Sequence, residues 1–94
     1  MPPGGYVGDV AIGYQQITSL SSAVGLTVPA GASSAIIQAE AQSVRWRDDT
    51  VNPTSSVGMV IASGASITYT GGNLNTIKFI ETTASAKLNV SFYR

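Results

Sequence analysis

The stretch AIIQAEAQSVRWR, Ala35 to Arg47, alternates with a period of two. Ala35, Ile37, Ala39 and Ala41 share one face, and Ile36, Gln38, Glu40 and Gln42 share the other. Further on the apolar parity changes, to Val44 and Trp46. A two-residue period belongs to a strand, whose successive side chains point to opposite faces. The AEAQ segment contains good helix formers, but Ile36, Ile37, Val44 and Trp46 favour strands and SSAII carries no helical stripe. We therefore read strand. A parity change within it means one of two things. Either a β-bulge sits near Gln42–Ser43, or the chain passes there from one sheet to another.

The same signal recurs on both sides. Val57–Ile61 is a short apolar run, and Ser66–Thr70 alternates with Ile67 and Tyr69 on one face. Leu74–Glu81 places Ile77 and Phe79 together, with Ile80 opposite. Lys87–Tyr93 sets Leu88, Val90 and Phe92 against Asn89, Ser91 and Tyr93. Tyr14–Thr18 and Gly25–Val28 are weaker strand candidates. Turn chemistry separates them: Pro29-Ala30-Gly31, Asp48 to Pro53, Ser63-Gly64, Gly71-Gly72-Asn73 and Thr82 to Ala86. Gly71-Gly72-Asn73 reads as a tight hairpin turn. The expected fold is all-β: a small antiparallel β-sandwich or jelly-roll-like barrel of about seven to eight short strands. Residues 14–94 form that single domain. Residues 1–13 read as an extended N-terminal arm, since MPPGG disfavours helix and central strand while Tyr6, Val7, Val10 and Ile12 offer apolar anchors. A frayed terminus is the plainer reading of the same residues.

Composition narrows the function. The chain has 94 residues, 44% hydrophobic and 11% charged, with five Lys/Arg balancing five Asp/Glu. It has no Cys and no His. A disulfide framework and a thiolate zinc site are thereby excluded, as is Ser-His-Asp or Cys-His catalysis within one chain. Zero net charge argues against a nucleic-acid partner, which demands a cationic surplus. No apolar stretch approaches the ~20 residues that span a bilayer. MPPGGYVGDV lacks the basic and apolar regions of a secretory signal, which points to synthesis in the cytoplasm. So few charges leave little to oppose association, and a domain this small gains by burying surface against copies of itself or a partner.

Few side chains could perform chemistry. The carboxylates are Asp9, Glu40, Asp48, Asp49 and Glu81, and no spacing pairs two of them across a cleft as a glycosidase requires. Asp48, Asp49, Thr50 and Asn52 offer oxygen donors but match no EF-hand spacing, and Asx turns explain them. No glycine-rich phosphate-binding pattern occurs. We expect no catalytic residue, cofactor or metal. Arg45-Trp46-Arg47-Asp48-Asp49 is the densest charged stretch and holds the single Trp. Alternation puts both arginines opposite Trp46. In one reading Trp46 is core and the arginines pair on the surface with Asp48, Asp49 or Glu40. In the other the stretch is a subunit contact, because Arg and Trp are enriched at interface hot spots. Tyr14, Tyr69 and Tyr93 could stack on a sugar, or serve as cross-strand packing pairs.

LTVPAGA (Leu26–Ala32), AIIQAEAQSVRWRDD (Ala35–Asp49), PTSSVGM (Pro53–Met59), LNTIKFIE (Leu74–Glu81) and the terminal KLNVSFYR (Lys87–Arg94) together resemble small tailed-bacteriophage virion proteins. The resemblance runs from about Tyr14 to the end. It implies a non-enzymatic component of the particle, of head-decoration (cement) type, bound outside the capsid where major capsid subunits meet. By analogy with decorations on three-fold positions it implies a homotrimer. One departure stands out: where a Gly would be expected near Asp49-Thr50, this chain has Thr50-Val51-Asn52. The contacts expected are the arm Tyr6, Val7, Val10 and Ile12, and Arg45, Trp46, Arg47, Asp48 and Asp49. Other readings are a tail, neck or head-fibre component, a carbohydrate-binding attachment module with an exposed Tyr or Trp in a groove, and a hydrolase using paired carboxylates.

Overall fold

The computed structural model describes residues 10–70 and 72–94. All eight elements are strands: β1 (Ala11–Ile17), β2 (Val24–Gly25), β3 (Ser34–Glu40), β4 (Val44–Arg47), β5 (Met59–Ile61), β6 (Ser66–Thr70), β7 (Lys78–Glu81) and β8 (Lys87–Tyr93). They form two antiparallel four-stranded sheets, ordered β1-β8-β3-β6 and β2-β7-β4-β5. First pairs with last, second with seventh, third with sixth, and β4 with β5. The chain is thus one long antiparallel ribbon, folded so that its successive segments lie in alternate sheets. Its apex is the loop joining β4 to β5.

The parity change in the opening stretch is a change of sheet. β3 belongs to the first sheet and β4 to the second. The corner is tight: Gln42 N donates to Glu40 O at 2.9 Å, and Ala41 between them has φ 73°. That is a γ-turn of the positive-φ kind, a strained geometry for a residue with a Cβ. Passing it lets Ala35, Ile37 and Ala39 face inward from one sheet, and Val44 from the other, all fully buried.

The core is what the alternation promised. Phe79, Phe92, Leu88, Val90, Ile37, Ile61, Ile77, Val44 and Leu20 are the large side chains sealed between the sheets. Each contributes roughly 1.5–3 kcal/mol by leaving water. Leu20 lies outside the strands, in the β1–β2 connection, and is held there by Glu81 N donating to its carbonyl at 2.9 Å.

Several boundaries differ from the sequence reading. Gly72-Asn73 belongs to a passage between sheets, not to a hairpin, because β6 pairs with β3 while β7 pairs with β2 and β4. Asn73 O accepts from Thr76 N and Ile77 N, so Leu74 to Thr76 form a turn and the strand starts only at Lys78. Of the candidate over Gly25–Val28 only Gly25 is strand, in a β2 that starts one residue earlier, at Val24. β1 starts at Ala11, taking in three residues of the stretch read as an arm.

Candidate functional site

Tyr6 and Val7 of the expected contact set lie outside the described residues. Val10 and Ile12 stand at the start of β1, an edge of the first sheet. Val10 is exposed, with its carbonyl accepting from Arg94 N at 2.8 Å, and Ile12 packs against the core. The remaining five residues lie on β4 and just beyond it, in the second sheet.

Four of those five meet in one place. Trp46, Arg47, Asp48 and Asp49 line an open groove of about 420 Å³ with Val57, Gly58 and Met59. Register explains the grouping, since Trp46 sits opposite Met59 on β5. Trp46 is half-buried and meets Tyr69 of the other sheet edge-on, with ring centroids 5.9 Å apart and planes at 78°. That arrangement suits the ring quadrupoles and adds about 0.5–1.5 kcal/mol to the burial of the pair. Trp46 is therefore both core and groove wall.

The charged groups divide their work. Arg47 grips Asp49 with two parallel hydrogen bonds, Nε to Oδ1 at 3.0 Å and Nη2 to Oδ2. The bonds from Arg47 hold the Asp49 carboxyl below the usual carboxylate range, and Asp49 raises Arg47 in return. Asp48 accepts from the Tyr69 hydroxyl at 2.5 Å. Burial, and then that bond, push the Tyr69 phenol up. Arg45 pairs with no carboxylate among the described residues. It donates to two carbonyls of the β4–β5 loop, Gly58 O at 2.8 Å and Ser55 O at 3.3 Å, and so clamps the loop against the sheet. Glu40 accepts from Asn89 Nδ2 at 2.9 Å on the first sheet, far from the arginines in topology.

The exposure of Val57 and Met59 in the groove, and of Val60 beside them, went unread in the sequence. Val57, Met59 and Val60 are each more than half exposed, as is Val51 in the same loop. Their signal was the run VGMVI, apolar at both parities in a short segment. Such a run reads as buried core, yet only Ile61 is buried. Met59 and Val60 lie on β5, which is the edge of its sheet among the described residues, and Val57 lies in the loop just before it. Gly58 sits among them with φ 141°, and a Cβ there would lie 3.1 Å from Trp46 O and from Arg45 Cβ.

The arrangement is suited to adhesion. It has an apolar rim, an aromatic wall and one preformed ion pair, and its carboxylates are already engaged by Arg47 and Tyr69. Comparison of the chain with protein-family models, curated proteins and solved structures finds no match.

Proposed function

We propose that this chain is a non-enzymatic structural protein of a tailed-bacteriophage particle, of head-decoration (cement) type. It binds the outside of the capsid, contacts the major capsid protein and itself, and stabilises the shell. The observation that carries this reading is the exposed apolar set Val57, Met59 and Val60 on and just before β5, an edge strand among the described residues. An edge strand invites pairing unless charge, proline, a cover or its own shortness blunts it, and β5, at three residues, offers a partner its side chains more than its backbone. Met59–Ile61 contains neither charge nor proline. The Trp46 groove beside it supplies the aromatic anchor and the Arg47–Asp49 fork that interfaces favour.

Two further supports are the family resemblance of the sequence and the strand order. We read β1-β8-β3-β6 over β2-β7-β4-β5 as a jelly roll, an architecture found in capsid proteins and in lectins. The fold by itself assigns no function. Decoration needs no chemistry. A ligand that binds only the assembled lattice stabilises it by RT ln(1 + [L]/Kd), ~2.7 kcal/mol per site at 100-fold excess over Kd.

The test uses particles stripped of the protein. The purified chain is expected to sediment as a homotrimer, to rebind stoichiometrically, and to raise the temperature at which particles open. Met59→Glu is expected to abolish rebinding while leaving the β-sheet circular dichroism intact. A monomer that fails to rebind overturns the reading. Density for a labelled chain on the tail, neck or head fibre would replace decoration with that role.

A further inference from the structure

The outer face of the first sheet carries a second groove, on a different surface from Trp46. All four strands of that sheet contribute to it. Tyr14 on β1, Ser91 on β8 and Ile36 on β3 stand in one row of the register. Gln16, Asn89, Gln38 and Ser66 form the next row. Tyr14 is 66% exposed and Ile36 40%, and between them lies the small Ser91. Two strand spacings separate the walls, roughly 9.6 Å. The result is an open groove of about 250 Å³, lined by Tyr14, Ile36, Gln38, Ser66, Asn89 and Ser91.

Its polar groups are held in place before any ligand arrives. Asn89 is the hub. Its Oδ1 accepts from Tyr14 Oη at 2.8 Å and from Gln16 Nε2 at 2.9 Å. Its Nδ2 donates to Glu40 Oε1 at 2.9 Å and to Gln38 Oε1 at 3.4 Å. These bonds use one end of each neighbouring amide or carboxylate. Gln16 Oε1, Gln38 Nε2 and Glu40 Oε2 make no hydrogen bond among the described residues. Side chains already ordered lose little entropy on binding.

We propose that this groove binds a neutral glycan, seating one pyranose ring between Tyr14 and Ile36 with the Ser91 hydroxyl beneath it. The charge balance selects the class. None of the lining residues carries an ionised side chain, and the charges nearest in the register, Glu40 and Lys87, stand opposite each other and balance, so a phosphate, a sulfate or a nucleic acid finds no net counter-charge there. A peptide strand would add to a sheet edge through its backbone, whereas Ser91, Asn89, Ile36 and Gln38 of this groove stand on the two inner strands β8 and β3. A sugar offers both things the groove asks for. Its C–H face rests on the electron-rich Tyr14 ring. Its hydroxyls, each donor and acceptor, meet the Gln38 amide and the Ser66 and Ser91 hydroxyls of the lining. Among the described tyrosines, Tyr14 is the one that lines this groove, whereas Tyr69 is engaged by Trp46 and Asp48. The proposal does not rest on the virion reading.

The test is a titration of isotope-labelled full chain, followed by NMR, with hexaoses of glucose, mannose, galactose and N-acetylglucosamine. At least one is expected to cause saturable shifts of the Asn89, Gln38 and Gln16 side-chain amides and the Ser91 backbone amide, with a Kd of about 1 mM or tighter. Tyr14→Ala is expected to weaken that binding about tenfold or more. Ser91→Phe, which fills the groove, is expected to abolish it, with the backbone spectrum otherwise folded. Absence of shifts with all four sugars overturns the proposal. So do shifts that survive both substitutions, or that centre on the Trp46 indole. Particle rebinding is measured on the same two variants. Loss of sugar binding with rebinding intact separates this face from the β5 edge.

Discussion

The Tyr69 hydroxyl, on β6 of one sheet, donates a 2.5 Å hydrogen bond to Asp48 Oδ2 at the end of β4 in the other. This bond and the Tyr69–Trp46 ring contact close the sandwich at the mouth of the Trp46 groove. A hydroxyl–carboxylate bond of that length is charge-assisted, and such bonds contribute more than neutral ones.

Tyr69→Phe should therefore lower stability by about 1.5–3 kcal/mol, the range for a hydrogen bond to a charged group, read from urea denaturation. A pH signature accompanies it. Burial, and then Asp48, raise the Tyr69 phenol in the folded chain above its unfolded value of about 10. The folded state then holds its proton more tightly than the unfolded one. That contribution is fully present below about pH 10 and is lost as pH rises through the folded value. Wild type should thus lose stability above about pH 10 more steeply than Tyr69→Phe; parallel pH profiles would contradict the assignment.

The Arg47–Asp49 fork predicts an opposite and weaker dependence. Asp49 titrates lower in the folded chain, chiefly through its bonds from Arg47. Its contribution is present above the unfolded carboxylate value near 3.9 and fades as pH falls through the lower folded one. Because the pair is exposed, between pH 5 and 8 the melting temperature of Arg47→Ala should match wild type closely. The Asp49 carboxyl, followed by NMR, should titrate higher in that variant than in wild type.

Thr50 has φ 68° in the β4–β5 loop, at the place where the phage resemblance would put a glycine. A β-branched residue in the left-handed region is strained by roughly 1–2 kcal/mol, from which the greater chain entropy of Gly must be subtracted. Thr50→Gly should stabilise the fold by about 0.5–1 kcal/mol in chemical denaturation. Ala41→Gly, at the φ 73° corner between the sheets, should act in the same direction.

Gly58 makes the converse case. Its φ of 141° and the close approach of Trp46 O, Arg45 Cβ and Pro53 Cβ leave no room for a methyl group without movement. Gly58→Ala should cost about 1–3 kcal/mol. It should also change Trp46 fluorescence, because the displaced loop carries the groove wall.

The strands legible in the sequence are those with one wet face and one dry face. Ser66–Thr70 and Lys87–Tyr93 fold with the bounds that alternation assigns them. In Lys87–Tyr93 the buried residues are Leu88, Val90 and Phe92. β5 was illegible because an edge strand need not alternate: Met59 and Val60 are both exposed, though adjacent. The amide network at Asn89 was equally hidden. Tyr14 and Asn89 stand 75 positions apart and meet only because β1 and β8 pair. The Arg45–Asp49 stretch could be singled out by composition. That Arg45 clamps a loop while Arg47 faces the groove could not, since both share one parity.

Side-chain alternation is a local property of an extended backbone, and so the order of residues alone determined that this chain is all-β and, in β3 and β8, which residues face inward. Which strands become neighbours was decided only in three dimensions. Backbone N–H and C=O groups are nearly identical at every residue, so no residue type names its partner strand. The choice fell to packing: the arrangement that seals Phe79 and Phe92 together leaves Val57, Met59 and Val60 on an edge in water. That leftover apolar edge, and the groove between Tyr14 and Ile36, are products of the tertiary fold, and they are where partners would bind.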